Sequence, residues 1–132
     1  MKKSLYTFAL FLLGMGPLSA KHVSPDVAEE VARNFMMQTA KVEALSLALC
    51  HAEMSAAGET DYYVFNINSG KGFVIISAED AGRPVIGYST QGAYQVPSES
   101  VNPQFNFWMQ KRKMEIESMR SEQLVPTAEI AM

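Results

Sequence analysis

Between Ser24 and Lys41 the apolar residues recur every four positions. Val27, Val31 and Phe35 form one line, and Ala28, Ala32 and Met36 form a second beside it. That spacing is one face of an α-helix. Ser24-Pro25-Asp26 marks its start with a capping serine, a proline suited to the first turn, and an acid at the positive end of the dipole. A helix over about 25–41 is expected. The stretch 43–55 is less plain, because its Ala and Leu residues favour helix. Leu45, Leu47 and Leu49 repeat with a period of two, however, and that tips the reading to a strand. Residues 56–61, from Ala56 to Asp61, read as a polar turn.

From Tyr62 to Asn68 the chain alternates, with Tyr63, Phe65 and Ile67 on one face and Val64 and Asn66 on the other. Phe73-Val74-Ile75-Ile76-Ser77 is a second strand, apolar and β-branched. Asn68-Ser69-Gly70-Lys71-Gly72 joins them as a hairpin loop whose glycines are free to take positive φ. A phosphate-binding loop would need a longer glycine-rich run, a Lys-Ser/Thr pair and a following helix, and a strand follows here. The Gly-Lys-Gly is a bend. After a polar connection over 78–84, Val85 to Ser89 reads as a further strand, and the run to Val101 as loop. Asn102-Pro103 then opens a second helix, with Asn as cap and Pro at the first position. Its packed face is Phe105, Trp108, Met109, Arg112, Ile116 and Met119, while Lys111, Arg112 and Lys113, set among acids, read as a solvated face. Residues 122–132 read as a loose tail. Helix, antiparallel strands and helix make an α+β fold: a meandering antiparallel sheet with an N-terminal and a C-terminal helix packed on it.

The first twenty residues change the picture of where such a domain works. Lys2 and Lys3 precede a short apolar run over 5–15, Gly16-Pro17 break it, and Ala20 offers a small residue for cleavage. This is the pattern of a secretory signal peptide, too short to cross a bilayer. The expected organisation is a signal peptide over 1–20, one domain over 21–121 and a tail over 122–132. Export would carry the protein to the periplasm or beyond, with no membrane attachment after cleavage. Loss of Lys2 and Lys3 moves the net charge from -3 to -5, which argues against nucleic acid and anionic membranes as partners. One cysteine, Cys50, allows no internal disulfide, so an apolar core must hold the domain, expected to be a monomer.

Candidate chemistry is sparse. Cys50 and His51 are adjacent, but neighbours in a strand point to opposite faces, so they make no nucleophile–base pair. A buried, inert Cys50 is the expectation. His22, next to the cleavage point, is expected to fray. The three aspartates (Asp26, Asp61 and Asp80) are dispersed, Glu79-Asp80 reads as a turn, and no zinc-ligand spacing occurs. The residues point to no enzyme, no cofactor and no metal.

The order of the central motifs carries more. A tyrosine-rich strand ending in Phe65-Asn66, then Gly72-Phe73-Val74-Ile75, Ser77, Asp80, Pro84, Gly87-Tyr88-Ser89 and Gly92 resembles the propeptide of streptopain-family cysteine peptidases and their free-standing inhibitors. Tyr63 and the two flanking helices fall in the same order. The resemblance implies an exported inhibitor of a streptopain-like, papain-clan cysteine peptidase that occludes the active site as a propeptide does. With no catalytic domain before Met132, the chain resembles the free-standing form. A non-catalytic binding or folding-helper module that reuses the propeptide fold is the alternative. The resemblance also implies an inhibitory contact at Val101, Asn102 and Pro103, through an asparagine that reaches the catalytic cleft. Independently, Pro103 restricts the residue before it to extended conformations, which would pre-order Asn102. Asn102 could equally serve only as the helix cap.

Overall fold

The computed structural model describes residues 22–79 and 83–122. Residues 1–21, with the expected signal peptide, residues 80–82, with Asp80, and residues 123–132 of the expected tail lie outside the described residues. Helix α1 (Pro25–Gln38) is followed by strands β1 (Leu47–Met54), β2 (Thr60–Ile67), β3 (Gly72–Ser77) and β4 (Val85–Ser89), and by helix α2 (Pro103–Ser121). The strands form one antiparallel sheet in the order β1-β2-β3-β4. The fold is α+β, as the pattern of periods indicated.

Alternation in the two central strands feeds two apolar layers, one on each face of the sheet. Tyr63, Phe65, Ile67, Val74 and Ile76 meet Ala28, Ala32 and Met36 of α1. Tyr62, Val64 and Ile75 meet Met109 and Ile116 of α2. The two helices therefore cover opposite faces of one thin sheet. Of the two lines on α1, the Ala28–Ala32–Met36 line is fully buried, while Val27 is 49% exposed. Small side chains let the helix sit close to the sheet. Ser24 caps α1 through its Oγ, which accepts from the Val27 N–H at 3.3 Å. The helix ends at Gln38, three residues before the expected Lys41. Lys41 itself is left-handed, with φ 58°, and the Val42 N–H donates back to the Met36 carbonyl at 2.9 Å.

Three local expectations are corrected here. Cys50 is exposed, not buried. The β1–β2 register jumps from Leu49 opposite Phe65 to His51 opposite Val64, which leaves Cys50 as the extra residue of a β-bulge on an edge strand. Leu49, beside it on the same edge strand, is 48% exposed. Gly72 does not take positive φ; the left-handed residues of the hairpin are Asn68, Ser69 and Gly70. Gly72 is needed for space, because a Cβ there would lie 2.6 Å from the Ser89 carbonyl oxygen of the neighbouring strand. His22 is not frayed, since it bridges to Glu79 in the backbone, and Val23 donates to the Ala78 carbonyl at 2.7 Å.

Candidate functional site

The segment that enters α2 is built from three anchored turns. Ser89 Oγ donates to the Gln91 carbonyl at 2.8 Å and accepts from the Gln91 N–H at 3.1 Å, which turns the chain off β4. The Tyr94 N–H donates to Asn66 Oδ1 at 3.2 Å, and the Tyr94 ring packs between Phe73, Phe105 and His51 at centroid distances of 5.3, 6.1 and 5.8 Å. Ser98 then organises the last turn: its Oγ accepts from Val101 N–H at 3.0 Å, and its N–H donates to the Val101 carbonyl at 2.9 Å. The result is a fixed tip at Val101, Asn102 and Pro103, all exposed.

Asn102 is where the structure departs from the local rule. It is not extended but left-handed, with φ 54° and ψ 63°. Asparagine tolerates this region better than most residues, and the Ser98 turn delivers the chain into it. Its carbonyl accepts from the Asn106 N–H at 3.0 Å and so begins the helix. Its side chain makes no capping hydrogen bond. The backbone of Asn102 starts α2, and its amide stays uncommitted at an exposed tip.

Behind the tip, α2 is fastened to the sheet by a charge cluster that the sequence reading missed. Asp61, assigned there to a polar turn, is fully buried in β2. Glu53 pairs with Tyr62 and Met54 with Thr60, so Asp61 is the unpaired residue of a second bulge, which re-aims its side chain toward α2. Its two oxygens accept from Lys113 Nζ at 2.8 Å and Arg120 Nη1 at 3.0 Å. Arg120 also donates to Glu79 Oε2 at 2.8 Å and to the Thr60 carbonyl at 2.7 Å. Lys113 also reaches the Met54 carbonyl at 2.7 Å and Glu53 Oε2 at 3.1 Å. Lys113 is therefore not part of a solvated face, and Glu79 is a buried ion-pair partner, not a turn acid. Burial by itself would lower the Lys113 pKa, but the carboxylates of Asp61 and Glu53 outweigh it and hold it above the ordinary lysine value. Glu117 shifts upward, first because it shares a hydrogen bond with Asp61 and then through burial, against the pull of Lys113. A faint signal was available: Asp61 adjoins the apolar alternation that begins at Tyr62, where a lone acid drawn into the strand calls for a cation.

Neither Cys50 nor His51 takes part in this arrangement as a nucleophile and base. Cys50 sits exposed on its bulge, and His51 Nε2 lies 3.0 Å from Glu53 Oε1 on the α2 face. Among the described residues no group of three or more His, Cys, Asp or Glu side chains is placed to hold a metal ion, and no helix is long and apolar enough to cross a membrane.

Residues 20–116 match the Spi protease inhibitor family, which takes in α1, the whole sheet, the tip and most of α2. The chain belongs to this family. Among curated proteins, the thiol protease/hemagglutinin PrtT of Porphyromonas gingivalis is 33% identical over 98 residues. The aligned part is 71% of this chain, and it spans 11% of that relative's length. No solved structure matches the chain significantly. Within this Spi-family chain the match includes Asp61, Glu79 and Lys113 of the charge cluster, and it stops before Arg120.

Proposed function

We propose that this Spi-family protein is exported and inhibits a streptopain-like, papain-clan cysteine peptidase by occluding its active site as a propeptide does. The observation that carries the reading is the similarity to a segment of a thiol protease. A domain of the inhibitor family that also resembles part of a cysteine peptidase chain has a ready partner in the catalytic domain of such an enzyme. The tip at Val101, Asn102 and Pro103 supplies the contact. It is exposed, held by the Ser98 turn, and carries an amide free to offer donors and an acceptor to a polar cleft. The inhibitor contributes no catalysis of its own and works by filling space and pairing polar groups.

The test is a titration of the purified protein against streptopain-like and papain-like cysteine peptidases. Tight, saturable inhibition of a streptopain-like enzyme is the expected result, and loss of no peptidase activity at micromolar protein would end the reading. Asn102→Ala should weaken inhibition by about tenfold or more, because a lost buried hydrogen bond costs about 1 to 3 kcal/mol, while the melting temperature falls by only a few degrees for placing alanine in the left-handed region. A folding helper draws on the same similarity. It would raise the refolding yield of the peptidase without inhibiting the folded enzyme.

A further inference from the structure

Helix α2 is built with its polarity partly inverted. Its inward stripe is Met109, Lys113, Ile116 and Arg120, so two of the four positions facing the sheet are cations. Its outward stripe has the same spacing, 107, 111, 114 and 118, and begins from the opposite side of the helix. That stripe holds Phe107, 66% exposed, and Met114, 65% exposed, the two most exposed large apolar side chains among the described residues. Lys111 lies between them with its Nζ 5.7 Å from the centre of the Phe107 ring. Beside it a shallow groove of about 500 Å³ is lined by Lys111, Met114, Glu115, Ser118 and Met119. The fold uses neither Phe107 nor Met114. Their solvation works against isolated stability, and a scattered pair of exposed apolar residues would need no comment.

These two are not scattered. Of the nine most exposed large apolar side chains, Val96, Val101, Phe107 and Met114 fall between residues 96 and 114, a single stretch that runs through the tip and along the outward stripe. The tip alone is also too small. A stable protein–protein complex buries about 800 Å² and roughly 20–30 residues on each side, far more than Val101, Asn102 and Pro103 supply. The remainder must come from surface continuous with them, and α2 leaves the tip directly, in a fixed orientation set by the Asp61–Lys113–Arg120 contacts.

We propose that the outward stripe of α2 is the second half of the inhibitory interface, with Phe107 and Met114 as its anchors. Its occupant is the target peptidase, which presents an apolar shelf beside its cleft and a carboxylate opposite Lys111. Phe107 is the kind of aromatic anchor that dominates interface energetics, and Lys111, at the rim, steers association. This inference rests on the proposed inhibitory function, and the two fail in different ways.

The experiment compares wild type, Phe107→Ala/Met114→Ala, Asn102→Ala, Lys111→Glu and the exposed control Leu49→Ala in inhibition, thermal unfolding and sedimentation. The double variant should raise the inhibition constant at least tenfold with its melting temperature within about 2 °C of wild type, since both side chains lie outside the core. Lys111→Glu should slow association, most at low salt, and Leu49→Ala should change nothing. If the double variant inhibits within twofold of wild type while Asn102→Ala does not, the inference is overturned and the inhibitory reading stands. If the double variant instead abolishes self-association in sedimentation at unchanged inhibition, the occupant is a second copy, and the inference is likewise overturned. If wild type inhibits no cysteine peptidase, both readings fall together.

Discussion

Helices α1 and α2 cover opposite faces of the same sheet and are attached by different physics. Helix α1 lies on its face through Ala28, Ala32 and Met36, all 0% exposed, with no ionic contact to the sheet among the described residues. Helix α2 buries Met109 and Ile116 but adds Lys113 and Arg120, which reach 41 to 60 residues back along the chain to Glu79, Asp61 and the Thr60 carbonyl. Apolar contact is non-directional and tolerates small rotations of a helix about its axis. Charge-assisted hydrogen bonds with defined partners do not. The ionic helix is the one that carries the tip and the exposed apolar stripe. The comparison teaches that orientation, more than adhesion, is what α2 needs from the sheet.

The sharpest way to break this contrast is to remove one buried cation. Arg120→Met leaves Asp61 with Lys113 alone and takes from the buried Glu79 its guanidinium partner, and should destabilise the domain by about 3–5 kcal/mol, read from urea unfolding. Hydrogen exchange should show α2 opening ahead of α1. A loss below about 1 kcal/mol would mean that the cluster is solvated and does not orient the helix. On the apolar side, Met36→Ala opens a cavity under α1 and should cost about 2–4 kcal/mol. That loss should be the same from pH 5 to pH 8, and a pH-dependent loss would show that the two attachments are coupled.

Titration separates the helices further. The Lys113 pKa is raised above 10.5 by its carboxylate partners, so its contribution is complete below that value and fades as pH rises through the higher folded one. Helix α2 should therefore detach in strong alkali before α1 does, which near-ultraviolet circular dichroism of Trp108 would follow. Glu117 is a smaller effect of the same sign. Its folded pKa is raised, so its contribution is present in acid and lost as pH rises through the folded value. Glu117→Gln should leave stability at pH 7 within about 0.5 kcal/mol of wild type or slightly higher, given its partial exposure, and should flatten the gain seen on mild acidification. The smallest expected effect is Cys50→Ser, within about 0.5 kcal/mol. An exposed cysteine invites pairing in an oxidising medium, so wild type should show a reducible dimer there that the variant lacks.

Much of this molecule follows from short-range rules acting on neighbouring residues. The four-residue recurrence from Val27 to Met36, the Ser24 cap, the alternation from Tyr63 to Ile67 and the β-branched run from Phe73 to Ile76 fix helix, strand and strand, because period and backbone preference are local properties. The ordered motifs from Tyr63 to Gly92 were enough to suggest the family. What the tertiary structure decided lies wherever two distant segments meet. Two bulges, at Cys50 and Asp61, arise from the pairing of β1 with β2, and no local pattern announces them. One turns a cysteine outward that its apolar neighbours suggested was buried, and the other turns an aspartate inward that its polar neighbours suggested was exposed. Asn102 was expected to be extended ahead of Pro103, yet the Ser98 turn and the start of α2 hold it left-handed. Lys113 looked solvated, and Arg120 drew no reading, because a charge reads as surface until its partner is known. Their partners stand more than 40 residues away, and only the folded sheet brings Asp61 and Glu79 beneath the helix.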